Sequence, residues 1–84
     1  MKHQIRFAPV AKKELNRISQ KDYQKILFAL VVIKNDPFTG KKLRGKLKNS
    51  YSYRVWPYRI IYKIYKNKSL TIIIRIAHRQ RAYK

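Results

Sequence analysis

The chain lacks cysteine entirely and has only two glycines and three prolines in 84 residues. Without cysteine, a disulfide framework and thiolate metal sites are excluded, and a reducing compartment is favoured. The longest apolar run, residues 26–33, is too short to cross a bilayer. The N-terminus has no apolar signal-peptide centre, so we expect a cytoplasmic protein that does not associate with membranes.

Acidic residues are also scarce. There are only three, Glu14, Asp22 and Asp36, against 22 lysines and arginines, which gives a formal net charge of +19. Most cations therefore have no carboxylate to pair with, and the chain should attract polyanions such as nucleic acid or an acidic protein. The hydrophobic fraction of 45% is enough for a modest core, so we expect one folded domain, residues 1–84.

The shortage of carboxylates restricts the possible chemistry. Metal-dependent phosphodiester cleavage needs several carboxylates around divalent ions, and all three acids are predicted on or beside helices. We therefore expect no metal site and no cofactor. A metal-free route exists for RNA, in which the substrate's own 2′-hydroxyl attacks the phosphorus while the protein moves protons and stabilises the extra negative charge.

The hydrophobic periodicity predicts an α+β fold of order β-α-α-β-β-β, with a helical hairpin on one face of a small, mainly antiparallel four-stranded sheet. Ser19 followed by Asp22 resembles a capping box at the start of the second helix. The predicted strands cover residues 2–7, 51–55, 58–65 and 70–77, the helices cover 9–18 and 20–35, and a basic loop covers 37–49.

Successive side chains of a strand point to opposite faces of the sheet, so the last three predicted strands can be divided into two faces. The side facing the helices is predicted to carry Ile60, Tyr62, Ile64, Ile72, Ile74 and Ile76. The side facing away is predicted to carry Arg54, Arg59, Arg75 and Arg79, with Tyr83 beside them. Arginine offers a planar fork that matches phosphate oxygens, although a solvated face in so basic a chain would also carry arginines.

Three further features have two interpretations each. Lys46 and Lys48 could clamp phosphates or simply be solvated, and Trp56 could stack a base or only fasten its hairpin. His78 lies in the phase of the buried isoleucines, which favours a structural or orienting role over a catalytic one.

Several short motifs resemble the RelE family of toxins, within the RelE/ParE superfamily, and the resemblance extends over essentially the whole chain. They are Leu43-Arg-Gly45, Tyr53-Arg-Val55, Tyr58-Arg-Ile-Ile-Tyr62, and Arg75-Ile-Ala-His-Arg79 with Tyr83. The resemblance implies a metal-independent endoribonuclease that cuts mRNA in the ribosomal A site and so inhibits translation.

The resemblance also assigns roles to residues. Arg59 would stabilise the phosphate, and Arg79 would stabilise the transition state or donate to the leaving oxygen. Tyr83 would orient or activate the 2′-hydroxyl. Arg54 would be one of the basic residues that assist catalysis. The residues predicted to bind RNA or the ribosome are Lys46, Lys48, Trp56, Arg75 and Arg81.

The implied partners are the ribosome with its mRNA and an acidic, RelB-like antitoxin that folds on the toxin. Operator DNA would be bound only through the toxin-antitoxin complex. Two alternatives remain: a ParE-like toxin that inhibits DNA gyrase without cleaving RNA, and a weakened toxin that keeps antitoxin binding. Ser52, where the family has a basic residue, and Trp56-Pro57, where it has Gly-Asp, favour the second alternative.

Overall fold

A computed structural model describes residues 4–44 and 49–78. Two helices and a five-stranded sheet make up an α+β fold, which confirms the predicted fold class. The elements in chain order are β1 (Gln4–Phe7), α1 (Pro9–Arg17), α2 (Gln20–Asn35), β2 (Lys41–Lys42), β3 (Ser50–Val55), β4 (Tyr58–Tyr65) and β5 (Leu70–His78).

The strand order across the sheet is β1-β5-β4-β3-β2. β1 is parallel to β5 and the other neighbours are antiparallel, which agrees with the predicted mainly antiparallel sheet. The prediction of four strands is wrong by one, because Lys41 and Lys42 pair with β3 from within the predicted loop. A strand of two lysines is too short to show the alternation by which strands are detected.

Both helices follow their predicted bounds. Pro9 occupies the first turn of α1, where its missing N–H costs nothing. Ser19 precedes α2 as its N-cap, but its side chain makes no capping hydrogen bond, so the predicted capping box is wrong in its contacts. Among the residues that the structure describes, no helix is long and apolar enough to span a membrane.

The core lies between α1, α2 and one face of the sheet. On α2, the buried positions recur at helical spacing at Ile26, Ala29, Leu30 and Ile33. Leu27 lies at the margin of this stripe and is 36% exposed. The fully buried sheet residues of the core are Ile60, Tyr62, Ile73 and Ile76.

A β-bulge in β5 changes the predicted faces of the sheet. Tyr62 pairs with Ile73 and Ile61 pairs with Arg75, which leaves Ile74 with no partner residue on β4. The extra residue reverses the phase of the strand on one side of the bulge. Ile76 faces the core as predicted, but Ile73 and Thr71 replace the predicted Ile72 and Ile74 as the buried residues.

The buried Tyr62 hydroxyl ties the segment after α2 to the sheet. It donates to the Pro37 carbonyl oxygen at 2.7 Å and accepts from the Gly40 N–H at 3.1 Å. A Cβ at Gly40 would lie 3.0 Å from the Ser52 carbonyl oxygen and closer still to the Tyr62 hydroxyl. Glycine is therefore required here by a close approach of two backbones.

We expect Ile73→Ala to lower the free energy of unfolding by about 2 to 5 kcal/mol, the range for a buried aliphatic side chain. Ile74→Ala, one residue along at the half-exposed bulge position, should lower it much less. Denaturant unfolding of the two variants compares them directly. Equal losses would contradict the assignment of the bulge.

We expect Tyr62→Phe to cost about 1 to 3 kcal/mol of stability, because two buried backbone groups lose their partner. Burial raises the pKa of Tyr62 from 10.0 to about 12. The neutral phenol therefore stabilises the fold fully below pH 10, and this contribution is lost as the pH rises from about 10 to about 12. Across this pH window, the free energy of unfolding should fall more steeply for the wild type than for Tyr62→Phe. Parallel curves would exclude the effect, since lysine deprotonation is common to both proteins.

Candidate functional site

The β3–β4 hairpin brings two arginines directly opposite each other. Arg54 pairs with Arg59, and Val55 pairs with Tyr58 beside the Trp56-Pro57 turn, whose peptide bond is cis. The two-residue turn thus joins the strands with no shift in register. Because opposed residues of antiparallel strands point to the same side, with Cβ atoms about 4.5 to 5.5 Å apart, the two arginines project together.

These arginines lie on the side of the sheet opposite to α1 and α2. We call this side the arginine face; its central members are Ser52, Arg54, Arg59, Ile61 and Ala77. Ile61 and Ala77 are only 3% and 2% exposed, although neither belongs to the main core cluster. The arginines therefore stand beside a small apolar floor, where an anion contacting them would meet less competing water.

No acidic residue lies on β3 or β4. Glu14 belongs to α1, Asp22 to the first turn of α2, and Asp36 follows α2, where its Oδ1 accepts the Phe38 N–H at 3.2 Å. Like charges placed opposite each other destabilise a sheet. A paired-arginine position of this kind is suited to binding a phosphate, which would offset the repulsion with charge-assisted hydrogen bonds.

Arg75 differs from these two arginines because its guanidinium is bound by a carboxylate of α1. Its Nη2 lies 2.8 Å from Glu14 Oε2, and its Nε also donates to the same carboxylate. The ion pair raises the pKa of Arg75, chiefly through the hydrogen bond to Glu14. Arg75 pairs with Ile61 and so occupies a position of the arginine face, as predicted, but its guanidinium is held in an ion pair with Glu14 of α1. The sequence could not reveal it, because Glu14 is 61 residues away.

His78 lies on the helix side of the sheet. It pairs with Tyr58, and the two rings make an edge-to-face contact with centroids 5.6 Å apart. Both rings line a cleft of about 420 Å³ between α1 and the sheet, together with Glu14, Arg17, Ile18, Arg75 and Ile76. This position agrees with a structural or orienting histidine, on the opposite side of the sheet from Arg59.

Trp56 is 58% exposed at the tip of the hairpin, next to the arginine pair in the chain. An aromatic ring so placed has enough accessible surface to stack on a base. Five other residues assigned from the sequence, Lys46, Lys48, Arg79, Arg81 and Tyr83, lie outside the described residues.

Two features escaped the sequence analysis. Lys41, on the short strand β2, pairs with Ser52 and so adds a cation to the arginine face. Ser52 is 5% exposed, and its Oγ is buried without a hydrogen-bond partner in the described part of the chain. Only the pairing of β2 reveals the position of Lys41. Within residues 4–44 and 49–78, no group of three His, Asp or Glu side chains is arranged to hold a metal ion.

Comparisons with known proteins agree with this architecture. The chain is 28% identical over 86 residues to toxin RelG of Mycobacterium tuberculosis, covering 100% of this chain and 99% of that protein. It superposes with a TM-score of 0.84 and 26% identity on a chain of the RelBE2 toxin-antitoxin complex of M. tuberculosis, covering 93% of this chain and 92% of the other. The isolated E. coli RelE toxin shares the fold, with a TM-score of 0.84 at 21% identity over 96% of this chain and 88% of RelE.

A family model described as the ParE toxin of type II toxin-antitoxin systems matches residues 5–83. The match extends from β1 to beyond β5, so it includes every element of the fold. The chain therefore belongs to this ParE toxin family, within the RelE/ParE superfamily, and is a toxin of the type II toxin-antitoxin class.

Proposed function

We propose that this toxin is an endoribonuclease that enters the ribosomal A site and cleaves the mRNA there, without a metal ion. The observation that carries the proposal is the arginine pair, Arg54 opposite Arg59, on a sheet face with an apolar floor and no carboxylate on its two central strands. Arginine forks at that position match the oxygens of a scissile phosphate.

In the proposed reaction, the 2′-oxygen of the substrate attacks the neighbouring phosphorus and loses its proton. The phosphorane carries an additional negative charge, which Arg59 and Arg54 would stabilise at the moment it develops. The 5′-oxygen then leaves and takes up a proton, and the phosphate closes into a 2′,3′-cyclic ester. We further propose that Tyr83 orients or activates the 2′-hydroxyl and that Arg79 assists the leaving oxygen.

Trp56 and the remaining cations would position the substrate. The exposed indole can stack on a base near the hairpin tip. Lys46, Lys48 and Arg81 would contact phosphates of mRNA or ribosomal RNA. Arg75 would act at most indirectly, because its guanidinium is already engaged by Glu14.

The family description also names ParE toxins, which favours a second candidate, a toxin that inhibits DNA gyrase without cutting RNA. The two candidates differ in whether the arginine pair is needed for chemistry. A third, a weakened toxin, would bind its antitoxin but cleave slowly, and Ser52 in place of a basic residue is the feature that favours it.

We propose that the neutralising partner is an acidic antitoxin, and that it docks on the outer face of α2. Leu27, Phe28 and Val31 form an exposed apolar strip there, with Phe28 63% and Val31 58% exposed. Lys21, Lys25 and Lys34 lie on the same helix. An amphipathic acidic segment complements both the apolar strip and these lysines. Operator DNA would be bound through the resulting complex.

We expect Arg59→Ala and Arg54→Ala each to lower the rate of A-site cleavage by about 100-fold or more, the usual loss when a donor to a developing oxyanion is removed. The assay uses purified ribosomes carrying a defined mRNA with an empty A site, and primer extension maps the cuts. A parallel reaction with the same RNA free of ribosomes checks the ribosome requirement.

The matched control is Arg6→Ala, which removes an exposed arginine from β1, two strands away from β4. Its cleavage rate should stay near that of the wild type. Cleavage that survives in Arg59→Ala would refute the proposed site. A wild-type protein that arrests growth but never cuts mRNA, while inhibiting gyrase, would establish the second candidate instead.

We expect the double variant Phe28→Ala, Val31→Ala to bind the cognate antitoxin about 30-fold or more weakly, a loss of about 2 kcal/mol or more, which one hot-spot side chain is enough to cause. Thermal unfolding should hardly change, because both side chains are exposed. Trp56→Ala, an equally exposed apolar residue in the hairpin turn, is the control and should leave antitoxin binding unchanged. Isothermal titration calorimetry that shows equal affinities for all three proteins would exclude the outer face of α2.

A further inference from the structure

Lys41 lies in the same transverse row of the sheet as Ser52 and Ile61. The register pairs Lys41 with Ser52, and Ser52 with Ile61. Directly opposed side chains share a face, so Lys41 projects from the arginine face. Arg54 is two residues along β3 from Ser52, which puts it at a diagonal position with its Cα about 7 to 8 Å from that of Lys41.

The side chain of Lys41 is exposed, whereas Ser52 beside it is buried and short. A serine does not extend above its own strand, and a four-carbon lysine stem can lie across such a neighbour while its ammonium stays in water. The ammonium of Lys41 can thereby approach the position that the Arg54 and Arg59 guanidinium groups also reach. Three cations from three adjacent strands then surround one side of the apolar floor.

We propose that Lys41 is a third cation of the RNA site and contacts the phosphate next to the one held by the arginine pair. The proposal rests on the proposed function, since it assigns Lys41 to the same RNA backbone. Neither the motifs of the sequence nor the family resemblance includes this residue. The register of β2 alone assigns it to the arginine face.

The chain contains an unusually close control for this proposal. Lys42 is the next residue of the same two-residue strand, is also exposed, and pairs with Tyr51. Because alternate residues of a strand face opposite sides, Lys42 projects from the helix side. There it lines a cleft with Phe38, Asn49, Tyr51, Ile64 and Lys66. Lys41→Gln and Lys42→Gln thus remove the same charge from the same strand on opposite faces.

The first experiment measures A-site cleavage by the wild type, Lys41→Gln, Lys42→Gln and Lys41→Arg. We expect Lys41→Gln to cleave roughly 10- to 100-fold more slowly, the effect of losing a hydrogen bond to a charged group. Lys42→Gln should stay within about threefold of the wild type, a difference of less than 1 kcal/mol. Lys41→Arg should recover most of the rate. Equal rates for Lys41→Gln and Lys42→Gln would overturn the proposal.

The second experiment needs no catalysis. Each protein is titrated against a short single-stranded RNA that carries 2′-deoxy substitutions and cannot be cut, at several salt concentrations. Losing one phosphate contact should reduce the slope of log K against log salt by about 0.7 for Lys41→Gln, and Lys42→Gln should keep the wild-type slope. Matching slopes for the two variants would overturn the proposal.

The two experiments separate the two proposals. If the wild type cuts mRNA but the glutamine variants behave alike, the assignment of Lys41 fails and the nuclease function stands. If the wild type does not cut mRNA but Lys41→Gln alone loses slope, the nuclease function fails and the RNA contact of Lys41 stands.

Discussion

The extra residue in β5 determines how the sheet divides its side chains between two faces. Ile73 and Ile76 are three residues apart and both belong to the core, which a regular strand with a period of two would not allow. The bulge at Ile74 permits it, and it also brings Ala77 opposite Arg59 on the other face. Past the end of β1, Glu14 of α1 accepts the Ile76 N–H at 2.8 Å and binds Arg75, so the helix covers the edge that β1 leaves open.

In the same fold, the three carboxylates belong to elements outside the arginine face. Glu14 binds Arg75, Asp22 pairs with Lys25 at 3.7 Å, and Asp36 caps the turn after α2. The opposed Arg54 and Arg59 are thus held close together by the backbone register and not by a shared acid on their strands. A polyanion that binds there is attracted by both guanidinium groups, and it also relieves the repulsion between them. If RNA is the ligand, as proposed, its binding should depend strongly on salt.

Much of this fold can be predicted from the sequence, because local patterns determine it. The helix bounds follow from Pro9, from Ser19, and from Pro37, which comes two residues after the end of α2 and cannot continue it. The pairing of Arg54 with Arg59 follows from a two-residue turn. The errors have a different origin. A bulge and a two-residue strand leave no periodic signal, and the contact between Glu14 and Arg75 depends on how α1 crosses the sheet. These are tertiary effects: they engage the guanidinium of Arg75 with Glu14 and add Lys41 to the arginine face.

The two proposed partners, RNA and an acidic antitoxin, are both polyanions, so long-range attraction by a chain of charge +19 does not distinguish them. Selectivity must come from contacts at short range. The arginine face offers planar forks beside a buried apolar floor, which suits a phosphate. The outer face of α2 offers exposed apolar side chains between lysines, which suits an amphipathic segment and has no counterpart in a phosphate backbone. Because the two surfaces lie on opposite sides of the sheet, an antitoxin that only docks on α2 would leave the arginines accessible. With the two proposed surfaces, neutralisation would require that the antitoxin also extend around the sheet or prevent the proposed entry into the ribosome by its bulk.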